Sequence, residues 1–375
     1  MQSFIPFIDL QAQRKRLGAS LEAATASCLE HGNFIMGPEV GVFEERLADF
    51  CGVKHCVTCA NGTDALMLIL MAEGIGEGDA VFVPAFTFVA TAEAVAVLGA
   101  TPIFCDVDPV TFNLAPASLE ASLQLAEQNG LAARAVIAVD LFGQPADYVA
   151  IDAIARRHNL MVIADAAQSC GASLNDQRVG GLAKFTATSF FPAKPLGCYG
   201  DGGAVLTNDD DAANVLRSLR VHGKGTEKYD NVRLGLNSRL DTIQAAILIE
   251  KLTVFPEEIE ARANVANRYS ASLSQSFETP QLLSGATSVW AQYTIKVPNR
   301  EEFIAHAKSH GVPTGIYYPR PLTKQGGYAH FPSASVNVSE QLAKEVISLP
   351  MHPYLEVAVQ DYICEVLQAF MENGS

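Results

Sequence analysis

Short apolar runs rich in β-branched and aromatic residues recur through the first two thirds of the chain, at 81–83, 101–105, 135–139, 161–164 and 204–207. Between them, apolar residues return every three or four positions, as at 64–72, 89–98, 147–158 and 209–222. Buried runs of this length are strands and the longer period is helical. Their alternation predicts an α/β sheet with helices on both faces. A helical stretch at 241–255 then meets Pro256, and a second helical pattern covers 257–274. Beyond it the rhythm changes to a strand at 293–297 and helices at 301–310 and 357–371. The change predicts a large α/β domain over 1–251 and a smaller α+β domain over 252–375.

Composition narrows the class. Of 375 residues, 49% are hydrophobic and only 18% charged, against about 25% charged in an average soluble domain. Disorder has the opposite signature. The longest apolar runs, such as 65–72, hold about eight residues, far short of the roughly 20 a membrane span needs. The excess apolar surface points to a subunit interface. A formal charge of −15 leaves no basic stripe of the kind nucleic acid requires. Eight cysteines are scattered, mostly within apolar runs, where a free thiol behaves as a buried hydrophobe. Cys56-x-x-Cys59 imitates a metal motif, but no second ligand pair follows at a zinc spacing, so no metal is expected and 55–60 reads as a short buried strand. The start of the chain lacks a signal-peptide pattern, and a cytoplasmic location is expected.

Four segments hold chemistry jointly. Asn61-Gly62-Thr63-Asp64 runs into an apolar helix, and free backbone N–H groups at a helix start seat phosphate, although the same residues also make an ordinary cap. The run 161–168 is a buried strand ending in Asp165, with Gln168 three residues on, where α/β proteins place ligands or simply cap a helix. Lys194 stands between Pro192 and Pro195, just after Phe190 and Phe191, and a Gly-rich stretch follows. Desolvation lowers an amine's pKa, which suits a Schiff-base lysine. Last, 217–239 contains Arg217, Arg220, Lys224, Lys228, Arg233 and Arg239 against Glu227 and Asp230, a surplus of four positive charges. Such a run is either a solvated face or a seat for a multiply charged anion. Gly74-x-Gly76-x-Gly78 follows a helix and precedes a strand, the wrong order for a dinucleotide fingerprint.

In order, Gly37-Pro38-Glu39, Gly62-Thr63, Asp165-Ala166-Ala167-Gln168, the 189–194 segment and Asn237-Ser238-Arg239-Leu240-Asp241 resemble the DegT/StrS family of nucleotide-sugar aminotransferases. The resemblance implies a fold type I, aspartate aminotransferase-like transferase, with a large mixed-sheet domain and a smaller C-terminal α+β domain. The cofactor it implies is pyridoxal 5'-phosphate, passing through pyridoxamine 5'-phosphate. Lys194 would hold it and shuttle the proton. Asp165 would pair with the pyridine nitrogen, Phe88 would stack on the ring, and Gln168 would lie beside it. Gly62, Thr63 and Ser189 would hold the phosphate. Asn237 would reach that phosphate from a partner subunit, and Arg239 and Tyr318 would face the sugar. The implied partners are glutamate, a UDP-keto-sugar and a second copy of the chain. Amination at C3 of a UDP-linked 3-keto-2-acetamido sugar is the leading expectation, with a C4 product the runner-up. Where relatives often carry His-Tyr-Pro, this chain has Tyr317-Tyr318-Pro319 and then Arg320. Two other classes compete: a non-catalytic cofactor-binding regulator and a nicotinamide-dependent sugar oxidoreductase.

Overall fold

The computed structural model describes residues 5–227 and 229–373. Seven strands form the central sheet: β1 His55–Cys59, β2 Asp79–Pro84, β3 Thr101–Cys105, β4 Ala132–Val139, β5 Met161–Asp165, β8 Phe185–Ser189 and β9 Gly203–Thr207. The remaining strands make a small hairpin, β6 Ser173–Leu174 with β7 Gln177–Arg178, and a distant pair, β10 Tyr293–Lys296 with β11 Val346–Leu349. The sheet order is β1-β9-β8-β5-β4-β2-β3, and β9 alone runs against the other six. Six carboxyl ends therefore share one edge of the sheet.

Helices cover both faces, as the alternation predicts. Those of the first part are α1 Leu10–His31, α2 Pro38–Cys51, α3 Gly62–Ala72, α4 Ala90–Val97, α5 Pro116–Gln128, α6 Tyr148–His158 and α7 Asp210–Leu219. The two-residue strand period sorts the side chains between two cores. Val81, Val83, Ala135, Ile137 and Ile163 pack with Leu66 of α3 and Leu216 of α7. Ala80, Phe82, Val136, Ala138 and Val162 pack with Leu119 of α5 and Ile151 of α6. The same period separates the paired cysteines. Cys56 enters one core and Cys59 another on the opposite face, so the two thiols do not converge.

Past the sheet comes α8 Thr242–Leu273, a single 32-residue helix with Pro256 inside it. The two helical stretches expected on either side of that proline are thus one element. Proline removes the hydrogen bond to Leu252, four residues back, and its ring crowds that carbonyl, but packing on both sides of the helix sustains continuity. Leu252 and Phe255 belong to the core beneath α2. Val265, Ala266, Tyr269 and Leu273 belong to another core, shared with β10, β11 and two further helices, α9 Arg300–Ser309 and α11 Val357–Asn373, while α10 Asn337–Glu345 sets Leu342 and Ala343 in a separate core with Phe86 and Phe142. We propose that the two domains hand over along α8 between Phe255 and Val265, just beyond the expected division at 251/252.

Candidate active site

The carboxyl edge of the sheet gathers the chemistry-bearing residues. Asp165 closes β5 and is 6% exposed. Its Oδ2 accepts a hydrogen bond from Thr91 Oγ1 at 2.8 Å, and its Oδ1 accepts one from the Ala167 amide at 3.3 Å. Burial pushes this carboxyl above its usual range, while the two donors and the charge of Lys194 pull it back. Burial lowers the Lys194 amine, and Asp165 opposes that shift. Lys194 keeps some surface open to solvent, yet protein atoms crowd its amine, and that crowding is what desolvates it. Each group thus feels the other's charge, which sets the Asp165 carboxyl and the Lys194 amine near one another.

The turn bearing Lys194 is tightly wound. The Lys194 amide donates to Phe191 O at 2.8 Å and the Cys198 amide to Phe190 O at 2.7 Å. Of the two phenylalanines, Phe190 is fully buried against Phe43, ring centroids 5.3 Å apart, whereas Phe191 is exposed. Only one of them is therefore part of the core that backs the turn.

Gly62 opens α3 beside Ser189, at the end of β8. A Cβ on Gly62 would come within 2.8 Å of the Ser189 Cβ, so glycine is what lets the helix start approach. Gly203 is likewise pressed onto the Asn61 carbonyl, where a Cβ would sit 2.3 Å away. Asn61 caps the helix by accepting from the Asp64 amide at 2.8 Å, while Gly62 and Thr63 occupy its first turn, where N–H groups point outward. A helix start, a serine hydroxyl, a lysine and a buried carboxylate thus converge, a donor set matched to a phosphorylated pyridine aldehyde.

Gln168 and Tyr318 line the same edge. Gln168 Oε1 accepts from the Phe142 amide at 2.7 Å, which turns its Nε2 toward the Tyr318 hydroxyl at 3.2 Å. The Tyr318 ring lies 6.2 Å from that of Phe88, a residue 54% exposed. Thr91, at the start of α4, is a residue that sequence reasoning missed. Seventy-four positions separate it from Asp165, and no local pattern marks it.

Asn237 and Arg239 are placed differently. Ser238 Oγ accepts from the Ala60 amide at 3.0 Å, anchoring the segment beside the α3 start. The flanking Asn237 side chain is exposed and bonded by Arg239, itself half-buried. Within the basic run, Arg220 is 4% exposed and bonds Glu44 and, at 2.8 Å, the Thr58 carbonyl. It is spent inside the fold and cannot seat an external anion. Lys224 and Arg233 are exposed, and Lys228 lies outside the described residues. Elsewhere Cys28, His31 and Glu39 converge within 4.8 Å. His31 Nδ1 accepts from the Asn33 amide at 3.0 Å, which leaves Nε2–H for Glu39, also at 3.0 Å, and that hydrogen bond accounts for the cluster.

A family model for DegT/DnrJ/EryC1/StrS aminotransferases matches residues 16–368. The chain belongs to the DegT/DnrJ/EryC1/StrS aminotransferase family. It is similar to a UDP-2-acetamido-2-deoxy-3-oxo-D-glucuronate aminotransferase of Pseudomonas aeruginosa, 50% identical over 97% of this chain and 99% of that one. A pleiotropic regulatory protein of Geobacillus stearothermophilus is 42% identical over 98% and 99%. A UDP-N-acetyl-3-dehydro-alpha-D-glucosamine 3-aminotransferase of Acidithiobacillus ferrooxidans is 40% identical over 94% of each. Among solved structures, a DegT/DnrJ/EryC1/StrS aminotransferase from Brucella abortus superposes with a TM-score of 0.96 at 50% identity, covering 98% of this chain and 99% of that one. DesV of S. venezuelae, solved with a ketimine intermediate, gives 0.94 at 35% identity with the same coverage. This aminotransferase is therefore a pyridoxal-phosphate enzyme of mixed α/β fold, as the sequence led us to expect.

Proposed function

We propose that the enzyme moves an amino group from glutamate to C3 of a UDP-linked 3-keto-2-acetamido sugar, the glucuronic acid being the best-supported acceptor. The observation behind it is that relatives at 50% and 40% identity, matched along nearly their whole length, are both named for nucleotide sugars bearing a 3-ketone. In this reading the product feeds a bacterial surface polysaccharide such as O-antigen, and the reaction runs in the cytoplasm. No helix among the described residues is long and apolar enough to cross a membrane.

The residues divide the work. When bound, pyridoxal phosphate supplies an electron sink for the carbon from which a proton departs. Gly62, Thr63 and Ser189 would hold the phosphate, and Phe88 would cover the ring with its open face. Asp165 would keep the pyridine nitrogen protonated, a pairing that Thr91 and Ala167 favour by bonding the ionised carboxylate. Lys194 would first hold the cofactor and then, once released by the incoming amine, take and return the proton. Its depressed pKa makes the neutral, proton-accepting form more available. Gln168, fixed by Phe142, would orient Tyr318 toward the sugar.

We further propose that two chains complete each site, with Asn237 reaching the partner's phosphate and Arg239 the partner's sugar. The exposed apolar strip of Phe34, Ile35 and Met36 supports this, because Ile35 bridges Asp241 and the Thr242 amide donates to Phe34 O at 3.0 Å. Apolar surface is thus concentrated beside the two residues in question. The test of the main reading is product identification from purified protein, glutamate and a UDP-3-keto uronic acid made in situ. An amine at C3 supports it. Amination of a UDP-4-keto-6-deoxy sugar with no turnover of the 3-ketone overturns it.

A further inference from the structure

Helix α8 passes behind the segment that bears Lys194, and two of its side chains reach into that segment. Lys251 is 1% exposed and donates Nζ to the Gly197 carbonyl at 2.5 Å. Its ammonium also lies over the Tyr199 ring, 4.0 Å from the centroid. Seven residues earlier, on the same helical face, Gln244 accepts from the Tyr199 amide at 2.8 Å and donates to the Tyr199 carbonyl at 3.4 Å. Both contacts fall just after the Lys194 turn. Gly197 itself has no spare room: a Cβ there would stand 2.6 Å from the carbonyl oxygens of Phe191 and Pro192. The turn is thus wound against the very residue that Lys251 grips.

A buried ammonium is costly, and an apolar side chain of similar length would fill the space without that cost. Around Lys251 stand the Tyr199 ring, the Cys198 thiol and the Glu258 carboxyl. Burial lowers its amine to about 8, and the two acidic groups act the other way. What its burial secures is the carbonyl of Gly197.

We propose that Lys251, assisted by Gln244, is a positioning residue that fixes the backbone of the Lys194 turn so that the Lys194 amine meets the cofactor's aldehyde carbon. It touches neither cofactor nor substrate. The inference rests on Lys194 being the linking lysine. In that linkage the amine condenses with the aldehyde, a carbon–nitrogen double bond forms and water leaves; borohydride then adds hydride to the carbon and a proton completes the amine.

Pyridoxamine phosphate forms no bond to Lys194, and this separates positioning from general support. Wild-type and Lys251→Met apoprotein are titrated with pyridoxal phosphate and with pyridoxamine phosphate, and Lys194 adducts are counted by mass spectrometry after borohydride. In Lys251→Met, pyridoxal phosphate binding and trapped adduct fall about tenfold while pyridoxamine phosphate binding holds, the size expected for losing one charged hydrogen bond. Equal weakening of both ligands, or of neither, overturns the proposal. Should Lys251→Met not be recovered folded, Gln244→Ala, at a half-buried position, is judged by the same criterion. Failure of the wild-type protein to trap cofactor at Lys194 would instead sink the underlying assignment.

Discussion

At Asp165 burial and hydrogen bonding pull in opposite directions, and the balance decides whether a carboxylate is available. Thr91→Val removes one donor to the ionised form, so the acid's pKa rises further. We expect the acidic limb of the pH–rate profile to move to higher pH and kcat/KM at neutral pH to drop about tenfold; an unmoved limb contradicts the role. Lys194→Ala should lower turnover by about a thousandfold or more, within the range for a positioned acid–base and nucleophile, while pyridoxamine phosphate still binds. Next to β5, Asp140 is wholly buried and accepts from Ser169 Oγ at 2.6 Å, Tyr148 OH at 2.7 Å and the Ala146 amide at 2.8 Å. Desolvation still raises it to about 7 from 3.8. Between those values the folded state keeps a proton that the unfolded state has lost, so this group's contribution falls as pH rises. Urea melts should show Asp140→Asn costing more at pH 5 than at pH 7. Asp165, Gln168 and Lys194 were readable because each sits in a short pattern: a strand end, a tetrad, a proline bracket. Thr91, the Phe142 amide and Lys251 were not, because their contacts cross 26 to 74 positions of sequence.

Among elements, five central strands and β1 were legible within a few residues, because their apolar runs end in turns. β8 is not predicted by the pattern. Its sequence, Phe185-Thr186-Ala187-Thr188-Ser189, has no apolar run, yet its first four residues are at most 1% exposed. Threonine suits a strand by its branched Cβ, and a hydrophobicity scan does not register that. Its hydroxyls are satisfied locally, as Thr188 Oγ1 is by the Ala166 carbonyl at 3.2 Å. The missed strand delivers Ser189 and the Lys194 turn, so the candidate residues stood out in the sequence while the strand that supports them did not. In α8, Pro256 leaves the Leu252 carbonyl without its usual donor. Pro256→Ala should stabilise the protein by about 1–3 kcal/mol, the low end if the helix is bent to suit proline. A lowered melting temperature would show that the proline shapes the hand-over between the two cores.

For the whole molecule, we propose that the subunit interface expected from the apolar excess lies at exposed Phe34, Ile35 and Met36, beside the segment of Asn237 and Arg239. Mixing experiments test whether chains share sites. A heterodimer of Lys194→Ala and Asn237→Ala chains has one intact site if Asn237 serves the partner, and none if it serves its own chain. Refolded equal mixtures should recover up to about a quarter of wild-type activity, since random pairing makes half the dimers mixed. No recovery places Asn237 within its own chain's site. The −15 charge proved uninformative about an anionic substrate, and even within the basic run Arg220 is occupied by Glu44 and Thr58. Local charge had to be read residue by residue. The most direct measurement is a single-turnover half-reaction: enzyme loaded with pyridoxamine phosphate, free of glutamate, is mixed with a UDP-3-keto-2-acetamido uronic acid and followed by absorbance and NMR. We expect stoichiometric appearance of pyridoxal phosphate linked to Lys194, matched by amine at C3 of the sugar. No transfer to the 3-ketone, with prompt transfer to a UDP-4-keto-6-deoxy sugar, would contradict it.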